Sequence, residues 1–387
     1  MLPSATYRAP DFLEAAKRVG AEVVVGSEHR QALSDSMGDR AITLSLGQPE
    51  RAAQQIERLH ERAPLDAIVA VDDGGTRAAA LGCQRLGLRA NSAEAVTRTR
   101  DKAAMRAALA EAGVRQPDWW LGPDLDAVGF PCVLKPLDRS GSQGVIRADT
   151  PQEAEVAATR IRAIVGDPEA ELLVEEFVPG DEVAVEALLT GGELEVLAVF
   201  DKPDPLDGPY FEETIYVTPS RKPAPVLGEI EAATAQAAAA LGLTEGPVHA
   251  EMRLAPQPVV LELAARSIGG LCSRSLRFGL GVSLEEVILR HALGLPPDHI
   301  RREDRASGVM MLPIPRAGTL KEVRGQDAAR ATEHVAGLEI SIAPGRPVVP
   351  LPEGDRYLGF IFAKADTPEQ VEQALREAHA KLQVDIG

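Results

Sequence analysis

Two stretches decide how this chain is read. They are Val248-His249-Ala250-Glu251-Met252-Arg253-Leu254 and, across the turn Ala255-Pro256-Gln257-Pro258, Val260-Leu261-Glu262-Leu263-Ala264-Ala265-Arg266. Both alternate apolar and polar side chains, the period-two pattern of a half-buried strand. His249, Glu251 and Arg253 therefore share one face of the first strand, and Glu262, Ala264 and Arg266 share one face of the second. A short turn joins antiparallel neighbours, so the hairpin is expected to present two carboxylates and two arginines on a common surface. Paired carboxylates near a polyphosphate suit Mg²⁺, a hard cation that takes oxygen ligands. An arginine beside them can hold a phosphoryl group or a carboxylate in its planar fork. A solvent-facing hairpin laced with ion pairs would show the same pattern, and His249 fits a structural role equally well.

Upstream, Val133-Leu134-Lys135-Pro136 delivers a lysine from a strand into a loop of small residues, Ser140-Gly141-Ser142-Gln143-Gly144. Glycines let backbone N–H groups approach oxygens closely, and serine hydroxyls add donors. The lysine precedes the glycines, so this is not a Walker loop, and a plain hairpin turn would look alike. Next comes Leu172-Leu173-Val174-Glu175-Glu176-Phe177-Val178-Pro179-Gly180-Asp181-Glu182. Such a segment can meet an adenine through its backbone and offer Glu182 to a ribose diol; an edge strand with solvated acids is the alternative.

Further out, the first hundred residues alternate helix and strand: helix 11–19, strand 21–26, helix 50–61 and strand 67–71, ending in the turn Asp72-Asp73-Gly74-Gly75-Thr76. This alternation predicts a doubly wound parallel sheet, whose strand ends are where ligands sit. The turn could thus line a site or simply cap a helix. The opening residues read as a loop where such a domain would begin with a strand, so the first strand is expected to be truncated or to lie upstream. Asp101 caps a helix carrying Met105 and Leu109, stopped at Gly113. From Cys132 onward strands come in antiparallel pairs, and residues 367–382 carry a capping-box signature with Pro368 at the first helical position. The fold class is therefore α/β and α+β.

The chain of 387 residues carries a formal charge of −17, which argues against a nucleic-acid surface while leaving room for a local phosphate pocket. Its 45% hydrophobic and 4% aromatic content implies a sizeable aliphatic core. Cys83, Cys132 and Cys272 show no disulfide or zinc spacing. No apolar run reaches the roughly 20 residues a bilayer needs, and no signal peptide is read at the start. A cytoplasmic protein without membrane or nucleic-acid partners is expected.

These segments, in this order, resemble the ATP-grasp superfamily. Thr99-Arg100-Asp101-Lys102-Ala103-Ala104-Met105 is similar to its opening lysine helix, and Leu134-Lys135-Pro136 with residues 140–144 to its second lysine and phosphate lid. Residues 175–182 resemble the hinge-and-ribose motif of D-alanine–D-alanine ligases. Glu251, Glu262 and Arg266-Ser267-Ile268-Gly269-Gly270 resemble the metal and phosphate motif. The resemblance covers most of the chain, including Tyr357-Leu358-Gly359-Phe360-Ile361-Phe362-Ala363 in the tail. It implies an N-terminal α/β domain at 1–97, a small lid subdomain at 98–170, a core with the metal site at 171–300 and a C-terminal α+β subdomain at 301–387. Carried over, Lys102 and Lys135 hold ATP phosphates under a lid formed by Ser140, Gly141, Ser142 and Gly144. Glu175, Phe177 and Val178 form the adenine hinge, Glu182 binds ribose, and Glu251 and Glu262 hold Mg²⁺, with Mn²⁺ as an alternative. Arg266 stabilises the transferred phosphoryl group or acyl phosphate, with Lys135 as its catalytic companion.

One departure stands out. Many members place Asn two residues after the second metal glutamate, and this chain has Ala264, which puts a full two-metal site in doubt. The Glu262-Leu263-Ala264-Ala265-Arg266 form with His249-Ala250-Glu251 more resembles L-amino acid ligases and related carboxylate–amine ligases. Phe211-Glu212-Glu213-Thr214 could supply Glu213 to a substrate ammonium, with His249 and Arg266 as further substrate contacts. The implied activity is an ADP-forming ligation of a small carboxylate to an amine through an acyl phosphate, in a family where homodimers are usual. The alternatives are a carboxylase of the biotin or purine type, which activates bicarbonate, and a non-catalytic nucleotide-binding regulator.

Overall fold

The computed structural model describes residues 8–29, 41–279, 281–296 and 301–387. Its centre is an eight-stranded antiparallel sheet in the order Gln257–Ala264, Gly246–Ala255, Asp181–Thr190, Glu193–Lys202, Ile215–Thr218, Ala306–Leu312, Gly359–Ala365 and Val335–Ile340. Alternation within Asp181–Thr190 sorts its two faces. Val183, Val185, Ala187 and Leu189 pack against Ile230, Ala237 and Leu241 of the helix Ala224–Leu241, together with Met105 and Leu109. Ala184 and Leu188 point the other way, into a cluster with Phe200, Ile268, Leu271 and Phe360. Glu182 and Glu186 are buried on that same second side, where Lys202 and Arg253 pair with the first and His249 with the second, offsetting the cost of burial.

A second, four-stranded antiparallel sheet takes Trp119–Leu121, Leu172–Glu176, Cys132–Pro136 and Ile146–Ala148 in that order, backed by the helix Pro151–Val165. The expected lid limits of 98 and 170 therefore shift. Leu172–Glu176 completes the small sheet, whereas the helices Ala93–Arg100 and Lys102–Glu111 bury Ala95, Met105 and Leu109 in the core. Between the sheets the chain turns at Gly180, whose φ is +115° and where a Cβ would lie 2.4 Å from the Leu254 carbonyl oxygen. Glycine is needed there for both reasons.

At the N-terminal end, Val25–Ser27 and Ala41–Thr43 form a two-stranded parallel sheet, packed with the helices Pro49–His60 and Asp73–Leu86, while the helix Ala9–Val19 sends Phe12 into the larger core. Parallel strands with helices were expected; two differences are instructive. The first strand begins at Val25 rather than at 21, and residues 67–71 join no sheet among the described residues. Ile68 packs on the small cluster around Ile56, while Val69 and Val71 pack on the larger core. The run is half-buried up to Ala70 and fully buried at Val71. Asp72 caps the following helix by accepting from Gly74 N–H at 3.2 Å. The C-terminal unit extends the large sheet and adds the helix Pro368–Ala380, which starts with the anticipated capping box between Thr367 and Gln370. Cys83, Cys132 and Cys272 are free and buried. Among the described residues no helix is long and apolar enough to cross a membrane.

Candidate nucleotide and metal site

A cleft opens between the two sheets, the kind of concave place where small molecules bind. Lys102, Lys135, Ser140, Ser142, Glu175, Phe177, Val178, Glu182, Glu213, Glu251 and Glu262 all line it. Gly141, Gly144, His249 and Arg266 are not among the lining residues. Arg253, expected on the polar face of the hairpin, lines it too, as do Val133, Arg139, Leu206, Phe211 and Leu261, which had not been assigned to a site.

The hairpin brings Glu251 and Glu262 directly opposite each other. A β-bulge achieves this. Counting from Ala255↔Gln257, strict pairing would set Glu251 against Leu261, but the register shifts after Met252↔Val260 and Leu261 becomes the extra residue. Leu261 then turns its carbonyl to NH2 of Arg106 at 2.5 Å. Lys102, first in its helix, places Nζ 2.5 Å from the Arg139 carbonyl and 3.5 Å from Oε1 of Glu262.

Lys135 and Arg106 both reach Glu175, each at 2.6 Å. Burial alone would raise this carboxyl, but the two cations outweigh it and hold it at about 2. Glu175, expected at the adenine hinge, lines the cleft, and its side chain braces Lys135. The N–H of Phe177 is also engaged, donating to the Pro131 carbonyl at 3.1 Å. The Phe177 ring lies under Arg147, with the guanidinium carbon 4.1 Å from the ring centre.

Sequence reasoning missed Lys202, the last residue of the strand Glu193–Lys202. Its Nζ lies 2.7 Å from Glu182, 2.7 Å from Glu213 and 3.2 Å from Glu251. Burial would lower its pKa, yet the three carboxylates keep it well above the ordinary lysine value. Oxygens of Glu182, Glu213 and Glu251 lie within 4.8 Å of one another, a cation-sized nest that the chain's own ammonium fills. Glu182 is also held by Arg253 at 2.9 Å. Glu213 accepts from Tyr216 at 2.5 Å and Tyr357 at 3.2 Å. Burial opposes its charge, but Lys202 and Tyr216 hold it at about 2. Both oxygens of Glu213 are thus engaged within the protein, which weighs against its expected contact with a substrate ammonium.

His249 bridges Glu186 at 2.6 Å and Glu251 at 3.2 Å. Burial would depress the imidazole, but these carboxylates lift it to about 9. Arg266 lies 2.9 Å from Asp73, so the Asp-Asp-Gly-Gly turn does more than cap a helix. The signals for Lys202 and Arg106 were faint. Arg106 lies one helical turn after Lys102, and Lys202 closes an alternating strand beside Glu182.

The donor set fits a magnesium nucleotide. Two facing carboxylates offer oxygen ligands, while Lys102, Lys135 and Arg139 offer cationic donors to phosphates. The buried Nε of Arg139 has no hydrogen-bond partner among the described residues, although Asp138 stands 3.8 Å away as an ion pair. An arriving anion would satisfy it.

Two sheets gripping a cleft with this donor set define an ATP-grasp protein, and the chain belongs to that superfamily. The ATP-grasp N-terminal domain model matches residues 13–88 and the ATP-grasp domain model residues 128–275. More particularly, residues 310–387 match L-amino acid ligase C-terminal domain 2. The chain is similar to alanine–anticapsin ligase of Bacillus subtilis (strain 168), 27% identical over 271 residues, 62% of this chain and 56% of that one. It is also similar to dapdiamide A synthase of Enterobacter agglomerans, 27% identical over 263 residues, 64% of this chain and 61% of that one. The match thus spans less than two thirds of either curated relative. Its fold matches the crystal structure of L-amino acid ligase from Bacillus licheniformis with a TM-score of 0.82 and 24% identity, covering 98% of this chain and 96% of that chain.

Proposed function

We propose that the protein is an ATP-dependent carboxylate–amine ligase that joins an amino acid to a second small molecule through an acyl phosphate, releasing ADP and phosphate. One observation carries this reading: Lys102, Lys135, Arg139, Glu251 and Glu262 converge on one cleft, beside an apolar patch of Val133, Phe177, Val178, Leu206, Phe211 and Leu261. The names of the two curated relatives and the C-terminal domain match support the ligase class.

In this reading Phe177 and Val178 flank the adenine and Glu182 meets the ribose. Lys102, Lys135 and Arg139 hold the phosphates, with Ser140 and Ser142 closing over them. Glu251 and Glu262 hold Mg²⁺, which when bound neutralises phosphate charge; Mn²⁺ suits the same oxygens. A substrate carboxylate oxygen forms a bond to the γ-phosphorus as the bond to ADP breaks, and the charge that develops is met by Lys135 and Arg266. The amine then bonds to the acyl carbon, phosphate leaves, and the amine gives up a proton. Positioning and charge stabilisation supply the catalysis, so no protein nucleophile is required.

The test uses ¹⁸O in the substrate carboxylate, screened over a matrix of amino acids with mass detection. One labelled oxygen is expected in the released phosphate. Label in AMP would mark adenylation, and ADP release that needs bicarbonate but no amino acid would mark a carboxylase.

A further inference from the structure

Asp73 joins three parts of the molecule at one carboxylate. It opens the helix Asp73–Leu86 of the N-terminal unit. Its Oδ2 lies 2.9 Å from NH2 of Arg266, just past the metal hairpin, and its Oδ1 lies 3.2 Å from NH1 of Arg100. Arg100 in turn donates NH2 to the Asp138 carbonyl at 3.3 Å, in the segment running from Lys135 to the small-residue loop. All three side chains are largely withdrawn from water: Asp73 is 14% exposed, Arg266 13% and Arg100 23%. Burial would raise the Asp73 carboxyl, but Arg266 and then Arg100 outweigh it and keep it ionised, well below the usual carboxylate range.

The bonding of Arg266 shows what the contact does. NH2 donates to Asp73, and NH1 donates to the Ser267 carbonyl at 3.1 Å. A guanidinium has five donors in a rigid plane. Two bonds to different parts of the protein fix that plane and leave further donors for a ligand. Side-chain freedom is thus lost before substrate arrives, which is how preorganisation favours binding and rate.

We infer that Asp73 is a positioning residue for Arg266, so that the N-terminal unit sets the plane of the guanidinium that meets the acyl phosphate. The same carboxylate, through Arg100, ties that plane to the loop ahead of the phosphate lid. The inference rests on the ligase reading, because only there does the orientation of Arg266 govern turnover. It gives the N-terminal unit a part in the reaction although it supplies no ligand to the metal nest.

Three measurements test it: steady-state kinetics, affinity for a non-hydrolysable ATP analogue, and the ¹⁵N-selective NMR signal of the Arg266 Nε–H group, assigned by its disappearance in Arg266→Lys. Asp73→Asn keeps the shape and removes the charge. It is expected to cut kcat about tenfold or more while leaving analogue affinity within about twofold, as a lost positioning contact should. The Arg266 signal should move toward that of a solvent-averaged arginine. Asp73→Asn combined with Arg266→Lys should be no slower than Arg266→Lys alone, since both remove one unit. If Asp73→Asn fails to fold, Asp73→Glu replaces it, because one added methylene must also displace the signal. An unmoved Arg266 signal, or losses that add in the double variant, would overturn the inference. Absence of acid-dependent phosphate release in the wild type would instead sink the ligase reading, while the NMR arm still decides whether Asp73 orders Arg266.

Discussion

The ammonium of Lys202 stands 3.2 Å from Oε2 of Glu251, so a carboxylate proposed to hold the metal is paired in this structure to the chain's own cation. Lys202 is almost fully buried and shares itself with Glu182 and Glu213. Metal and lysine must therefore divide the same carboxylates.

From this follows the behaviour of Lys202→Met. Three carboxylates would lose their counter-charge, and breaking a buried ion network costs about 3–5 kcal/mol. Thermal melting should fall accordingly. The nest would also become a better divalent site, so Mn²⁺ followed by electron paramagnetic resonance without nucleotide should bind about tenfold tighter. An unchanged Mn²⁺ isotherm would show that Lys202 is not the competing cation.

Glu175 governs stability in acid. Its carboxyl sits at about 2 in the folded protein against an ordinary 4.5. Between those values the unfolded chain binds more protons, so the stability from this group is complete above pH 4.5 and disappears as pH falls toward 2. Glu175→Gln should destabilise the protein by about 3–5 kcal/mol near neutrality, because Arg106 and Lys135 lose a buried partner. Urea midpoints of the two proteins should converge as pH drops from 4.5; a constant gap would contradict the assignment.

The small-residue loop at 140–144, proposed to close over the phosphates, is docked onto the C-terminal unit. Gly144 N–H donates to the Pro352 carbonyl at 2.9 Å, and Gln143 Nε2 to the Glu353 carbonyl at 2.8 Å. Arg160 clamps the Glu353 carboxylate at 2.6 and 3.0 Å, with both side chains 40% exposed. A half-exposed bidentate pair contributes about 0.2–1 kcal/mol. Arg160→Ala should therefore speed hydrogen exchange over residues 140–148 only severalfold, and an ATP analogue with Mg²⁺ should restore much of the protection. Exchange that ignores both the substitution and the nucleotide would remove this loop from the site.

Glu262 faces Glu251 across the bulge, with Lys102 3.5 Å away. A neutral amide is a poorer Mg²⁺ ligand than a carboxylate, so Glu262→Gln should raise the magnesium needed for half-maximal rate about tenfold or more and lower kcat. Titrating the rate with Mg²⁺ at saturating ATP checks this, and an unshifted curve would place the metal elsewhere.

Much of this protein was legible along the chain because it depends on neighbours in sequence. Period-two alternation marked the hairpin of Glu251 and Glu262, a strand ending in Lys135 led into its small-residue loop, and Asp101 and Thr367 announced the helices they cap. The same local logic expected a strand at residues 67–71, a half-buried apolar run that joins no sheet among the described residues. Tertiary structure alone decided which charges meet. Asp73 and Arg266 are 193 residues apart, Arg106 and Glu175 are 69, and Lys202 finds Glu182 only through strand register. It decided even the reading of the hairpin. Continued in strict register from the turn, Glu251 would face Leu261, and Glu262 would point to the apolar side. Periodicity fixes which face a side chain takes within its own strand. An ion pair depends instead on the register between strands and on how the two sheets and the N-terminal unit pack, and those are set by the burial of the whole core.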